Sequence, residues 1–301
     1  MTTLKLSRRQ ALQMYAAGLA TAWAGCGLSG ALESATNSDA TPPLARGTPN
    51  SSERTALVED FRKRSEGLQA KFEARTYKGD WTMPYRLFRP AASGKLPLVL
   101  YLSGSGGLGD DNLKQIGLGN IFGTRLWLLP EHQQNFPCYV VAPQTDRGWA
   151  KYDMTQQGND GAKVLPGLGD GSRLALEIVD SLRREFPIDD RRISVAGQSM
   201  GGAGVWNVIA SRPRFFAAAV ICCGSRSTED GTEAIDTPVW AFHGDADKTV
   251  SVSLSRDRIA ARRKAGGRPL YTEYAGVDHN CWEWAFTEPE LVKWLGAQTR
   301  S

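Results

Sequence analysis

The chain has 301 residues, enough for one large domain, with 41% apolar and 23% charged residues, the make-up of an ordinary globular protein. Its net charge is +4, but Lys5, Arg8 and Arg9 supply three of those charges and the first 26 residues hold no acid, so the rest is nearly neutral. That balance gives no electrostatic reason to expect a nucleic-acid partner, and no His/Cys cluster has the spacing of a zinc site.

The first 26 residues read as an export signal. Arg8-Arg9 precedes a mildly apolar, Ala- and Gly-rich stretch from Ala16 to Ala24, a pattern similar to twin-arginine signals and too short to span a bilayer. Ala22-Trp23-Ala24 fits a small-x-small cleavage site. Trp23-Ala24-Gly25-Cys26 resembles a lipobox, in which Cys26 would carry a lipid anchor. The expected location is therefore the periplasm, the medium or a membrane surface. Residues 27–52 are rich in Ser, Thr, Gly, Pro and Ala and predict a flexible linker, which leaves 53–301 as the folded domain.

That domain should open with an amphipathic helix carrying Leu57, Phe61 and Leu68 on one face. The polar segments around Arg75–Lys78 and Pro84–Arg89 predict an antiparallel hairpin at a sheet edge. Short apolar runs bounded by Gly or Pro follow at 96–102, 138–143, 193–197, 217–223 and 239–243. Runs of this length fit strands covered on both faces. Between them Leu174, Ile178, Leu182 and Phe186 recur at helical spacing, and 252–265 and 289–295 are further helix candidates. Strands alternating with helices imply a mostly parallel central sheet with helices on both faces.

Gly197-Gln198-Ser199-Met200-Gly201 lies between a predicted strand and a predicted helix. Glycines on either side of a serine let the backbone turn sharply and hold the hydroxyl above the sheet, in front of a helix N-terminus. A serine hydroxyl needs a base. Of the three histidines, His132 lies in a polar surface-like stretch, His243 ends a strand as a packing residue, and His279 follows the last candidate strand, as the chain order serine, acid, histidine requires. The acid that orients the imidazole should follow the strand between them, where Asp245 and Asp247 both qualify. Negative charge developing on a carbonyl oxygen needs N–H donors. The glycine-rich run from Ser103 to Gly109, after a buried strand, can supply that of Ser105, and the helix behind Ser199 that of Met200. The same run lacks the Gly-Lys-Ser/Thr ending of a phosphate-binding loop.

Val239-Trp240-Ala241-Phe242-His243-Gly244, Gly201-Gly202, the segment from His279 to Trp284 and Gly109-Asp110-Asp111-Asn112 resemble bacterial secreted esterases of the α/β-hydrolase superfamily. They are similar to the phospholipase/carboxylesterase and predicted-peptidase group and to feruloyl-esterase and polyhydroxybutyrate-depolymerase-like enzymes. The resemblance runs from about residue 80 to 298. It implies an α/β-hydrolase fold, selects Asp247 as the acid, and leaves Ser103 where the family has a histidine supporting the oxyanion loop. A serine hydrolase acting on small or polysaccharide-linked esters through Ser199, Asp247 and His279 follows, with neither metal nor cofactor. The alternatives are a peptidase of prolyl-oligopeptidase type and a catalytically silent surface binding protein. Trp149, Trp282 and Trp284 are candidate cleft walls. Any disulfide should join Cys281 to Cys222 or Cys223, because Cys138 begins its strand at the opposite end of the sheet.

Overall fold

In strand β3 (Leu96–Leu102) all seven residues are buried, and they alternate between two cores. Val99 and Tyr101 face one core, and Leu98, Leu100 and Leu102 face the other. This is what a strand covered on both sides requires: successive side chains point to opposite faces, and both faces must be apolar. The computed structural model describes residues 51–158, 161–224 and 234–300. The predicted export signal and all but the last two residues of the predicted linker lie outside the described residues.

The main sheet has eight strands. The others are β1 (Glu73–Lys78), β2 (Thr82–Phe88), β4 (Tyr139–Pro143), β7 (Ile188–Gln198), β8 (Ala218–Cys222), β9 (Val239–Gly244) and β10 (Leu270–Tyr274). Their order is β1-β2-β4-β3-β7-β8-β9-β10. The first two form the expected antiparallel edge, and every pairing from β4 to β10 is parallel. A separate antiparallel hairpin, β5 (Ala150–Gly158) with β6 (Gly161–Leu168), was not foreseen.

Helices α1 (Ser51–Arg64), α2 (Ile121–Arg125), α3 (Pro130–Asn135), α4 (Asp170–Glu185), α5 (Met200–Ser211), α6 (Val252–Lys264), α7 (Trp282–Ala285) and α8 (Leu291–Gly296) complete the described elements of this kind. On α4, Leu174, Ile178 and Leu182 are buried against one face of the sheet, together with Val205 and Ile209 of α5 and Ile259 of α6. Val58 and Phe61 of α1 and Leu291 and Leu295 of α8 cover the other face. Among the described residues, no helix is long and apolar enough to cross a membrane.

Helix α1 corrects the sequence expectation in two ways. It begins at Ser51, inside the segment read as linker. Its buried stripe is Arg54, Val58 and Phe61, whereas Leu57 is exposed. At about 100° per residue Leu57 lies about 40° from Phe61 but about 100° from Val58, at the edge of the stripe that Arg54, Val58 and Phe61 bury. The stripe includes a charge because Arg54 donates to Glu288 at 2.5 Å, and both side chains are nearly inaccessible to solvent. Leu68 is buried, but in a separate 3-10 turn beyond Gly67, whose φ of 77° ends the helical run.

Candidate active site

Parallel strands share one direction, so the loops after β3, β7, β9 and β10 meet at one end of the sheet. Ser199 sits between β7 and α5 with φ 52° and ψ −120°, a backbone conformation that few non-glycine residues adopt. Its amide donates to Cys222 O at 2.8 Å, which fixes the turn to β8. A Cβ on Gly201 would collide with the carbonyl oxygen of Leu102, and one on Gly197 would lie 2.6 Å from Gly201 O. The two glycines are therefore needed for close approach, and the turn holds the serine hydroxyl above the strand ends.

The hydroxyl Oγ of Ser199 lies 2.8 Å from Nε2 of His279. Nδ1 of His279 lies 2.8 Å from Oδ2 of Asp247. With the serine proton directed at Nε2, Nδ1 donates to the carboxylate. Asp247 is inaccessible to solvent, and its other oxygen, Oδ1, accepts the amides of Thr249 at 2.8 Å and Val250 at 2.9 Å. Burial acts to raise the Asp247 carboxyl, but hydrogen bonds from His243 and His279 and the amide of Val250 outweigh it and hold the group below the ordinary carboxylate range. Asp245 does something else: its Oδ1 accepts the amide of Gly276 at 2.6 Å, closing the turn before His279. Asp278 bridges the two loops, accepting the amides of His279 at 2.8 Å and Lys248 at 3.1 Å.

His243 is buried as expected, and it also reaches the site. Its Nε2 lies 3.1 Å from Oδ2 of Asp247 and 3.0 Å from Val250 O, while Nδ1 lies 2.7 Å from the Ser255 hydroxyl. An Nε2–H tautomer accepting from Ser255 satisfies all three contacts. His243 and His279 thus converge on one carboxylate oxygen, an arrangement that sequence spacing did not disclose.

The opposite wall comes from the loop after β3. Ser105 opens a 3-10 turn (Ser105–Gly107), and Met200 opens α5. First-turn amides have no intrahelical acceptor, so neither N–H group is used within its own turn. Ser103, which stands where the resemblance implies a histidine, is buried, and its carbonyl accepts the indole N–H of Trp149 at 2.8 Å. Asn120 supplies the other support. Its Oδ1 accepts the amide of Gly104 at 3.1 Å, and its Nδ2 donates to Lys114 O at 3.1 Å. The Tyr101 hydroxyl lies between Asn120 Oδ1 at 3.1 Å and Gln198 Oε1 at 2.6 Å. Burial holds this phenol well above its ordinary value, so it remains a donor. No local motif marks Asn120; its partners lie 6, 16 and 19 residues away in sequence.

A cavity of about 230 Å³ opens beside Ser199, lined by Gly104, Ser105, Leu118, Gly119, His279 and Trp282 among others. Trp282 stands edge-on to His279, with ring centroids 5.3 Å apart and planes at 90°. It stands as a wall of this cavity. Trp149 is not: it is fully buried and serves as a strut under the loop that follows β3. Trp284 is not either, because it packs edge-on against Tyr274 on the sheet face. Alternate positions of a short helix point apart, and only one of the two tryptophans on α7 can face the cleft.

The sulfur of Cys223 and single ligand atoms of Asp247 and His279 lie within 4.8 Å of one another. They make a poor cation site, because burial pushes the Cys223 thiol well up and the other two groups are committed to each other. Cys138, Cys222, Cys223 and Cys281 are all buried free thiols. Cys223 and Cys281 do meet at the end of the sheet that carries His279, where the Cys223 thiol donates to His279 O at 3.3 Å.

This strand order, with a serine on the turn after β7 and an acid and a histidine on later loops, is that of the α/β-hydrolase fold, which the chain shares with the solved structures it resembles. Residues 156–290 match the model of the dienelactone hydrolase family. Among solved structures, a thermostable esterase is 32% identical with a TM-score of 0.69; the match covers 77% of this chain, and the chain spans 64% of the esterase's length. The S-formylglutathione hydrolase of Staphylococcus aureus is 16% identical with a TM-score of 0.52, over 75% of this chain and 98% of that one. The Pyrococcus horikoshii acylaminoacyl peptidase is 11% identical with a TM-score of 0.52, over 77% of this chain and 42% of that one. No curated protein sequence matches the chain.

Proposed function

We propose that this protein is a serine hydrolase that cleaves carboxylic esters through an acyl-enzyme. The observation that carries the reading is the continuous relay from the Ser199 hydroxyl through His279 to Asp247, with 2.8 Å at each step. Ser199 attacks the ester carbonyl while His279 Nε2 takes the hydroxyl proton. Asp247 holds the tautomer and stabilises the imidazolium. The amides of Ser105 and Met200 receive the negative charge on the carbonyl oxygen. His279 returns the proton to the leaving alcohol, and water then cleaves the acyl-enzyme by the same route.

The 32% identity to an esterase favours esters over peptides, since the peptidase likeness, at 11%, speaks only for the fold. The test is labelling of the purified protein by a fluorophosphonate, together with rates on acyl esters of graded length, feruloyl esters and short peptides. Labelling of Ser199 with ester turnover is the expected result. Peptide turnover alone would reassign the substrate class, and neither labelling nor turnover would leave a silent binding protein. Export through the Arg8-Arg9 signal, with Cys26 as a lipid anchor, is a further proposal supported by the sequence pattern. Mass spectrometry of the mature N-terminus tests it: diacylglyceryl-Cys26 would establish the anchor, a free Gly25 would show export without it, and an intact Met1 would exclude both.

A further inference from the structure

Leu118 is an outlier in two independent respects. Its φ of 46° places a non-glycine residue in the left-handed region. Its side chain is 76% exposed, more than any other large apolar side chain among the described residues. Both features are costly, and both occur at the mouth of the cavity beside Ser199. Its neighbours explain why the backbone has this shape. Asn120 is tied at both ends of its amide, to Gly104 and to Lys114. Gly119 lies flat against the indole of Trp282, where an added Cβ would come within 3.1 Å of Nε1. Leu118, with its positive φ, immediately precedes these two held residues.

Nothing in that constraint calls for leucine. Glycine or asparagine would adopt the same backbone at lower cost and would expose no apolar surface. A strained, exposed leucine at a cavity mouth is therefore better explained by what it touches outside the fold.

The direction of the wall identifies that contact. Gly119 abuts Trp282, and Trp282 stands edge-on to His279. Leu118, Trp282 and His279 line the same cavity, and in the esterase reading Nε2 of His279 hands its proton to the leaving oxygen. The carbonyl oxygen of the substrate belongs with the amides of Ser105 and Met200, as the esterase reading assigns it. Among the described lining residues His279 is the sole ionisable side chain. We propose, building on the esterase reading, that Leu118 with Trp282 forms the binding wall for the leaving alcohol, and that this alcohol is uncharged and apolar.

The experiment compares the full chain with its Leu118→Asn and Leu118→Gly variants on two ester series. In one the acyl group is acetyl and the alcohol runs from methyl through butyl to hexyl. In the other the alcohol is ethanol and the acyl group runs from acetyl to hexanoyl. In L118N and L118G the ratio of kcat/KM for hexyl over methyl acetate should fall about tenfold, the scale of a lost apolar contact. The acyl-series ratio should stay within about twofold, and Tm should equal or exceed that of the unsubstituted chain because the backbone strain is relieved. A fall in the acyl-series ratio instead would place the wall on the acyl side and overturn the proposal. A lower Tm with both ratios unmoved would make Leu118 a structural residue and overturn it as well. If the unsubstituted chain hydrolyses none of these esters, the esterase reading fails first. An active esterase with unmoved ratios defeats only the present inference.

Discussion

The two walls of the cavity are built by different means. The wall that carries Ser199, Asp247 and His279 stands on the ends of β7, β9 and β10, and its loops are short. Their positions follow from strands that pair in register, such as Glu273 with His243 and Gln198 with Cys222. The wall that carries Ser105, Leu118 and Asn120 is a run of 3-10 turns with hardly any regular hydrogen-bond ladder. There the shape comes from side chains: Asn120 on Gly104 and Lys114, and Asp111 on Gln144, Leu113 and Lys114. In the proposed mechanism proton transfer sits on the strand-held wall, and substrate fit with oxyanion support on the side-chain-held one. Each wall also has a carboxylate held below its ordinary range. Burial opposes this at both, while hydrogen bonds from His243 and His279 dominate at Asp247, and those from Gln144 and the amides of Lys114 and Leu113 dominate at Asp111.

The largest effect should come from the strand-held wall. Ser199→Ala should lower ester turnover by a factor on the order of 10⁶, with Tm unchanged or raised. Retained turnover would remove Ser199 from the mechanism. Next, Asp247→Asn should cost about 10⁴ in kcat by favouring the wrong tautomer of His279. Asp245→Asn should cost less than about tenfold, because Asp245 closes a turn and does not touch the imidazole. Reversed effects would mean that the carboxylates had been assigned the wrong roles.

The side-chain-held wall should respond more weakly and in a different parameter. Asn120→Ala releases the amide of Gly104, next to the Ser105 donor. It should lower kcat by about 10²-fold with KM little changed, and weaken binding of a trifluoromethyl ketone more than that of substrate. A pure KM effect would make Asn120 a cavity wall with no part in holding the oxyanion loop.

The smallest effect concerns acid stability. Asp247 and Asp111 have folded-state pKa values below those of the unfolded chain. Their contribution is therefore present in full above the unfolded value of about 4 and is lost as pH falls through the folded values. Denaturant midpoints measured from pH 6 down to pH 2 should decline below pH 4, and the slope should be shallower in the Asp247→Asn variant. An unchanged slope would show that Asp247 is not held below its unfolded value.

The comparison also explains what could be read in advance. Strand segments such as 96–102 and 239–243 were legible because a strand buried on both faces must be a short continuous apolar run. The serine turn was legible because close backbone approach admits only glycine at positions 197 and 201. The order serine, acid, histidine left just one histidine downstream of both aspartates. Other features depended on packing between segments distant in sequence. A tryptophan serves equally as a wall or as a strut, and it was the burial of Trp149 under Ser103 that decided its role. The face of α1 depended on where Glu288 lay, 234 residues away. The roles of His243 and Asn120 depended on which polar groups came within hydrogen-bond distance, and side-chain hydrogen bonds leave no period in the sequence. Leu118 shows the same division. Its apolar character is a property of the chain, but its exposure and its positive φ are properties of the folded cavity, where the next two residues, Gly119 and Asn120, pack on Trp282 and bond Gly104.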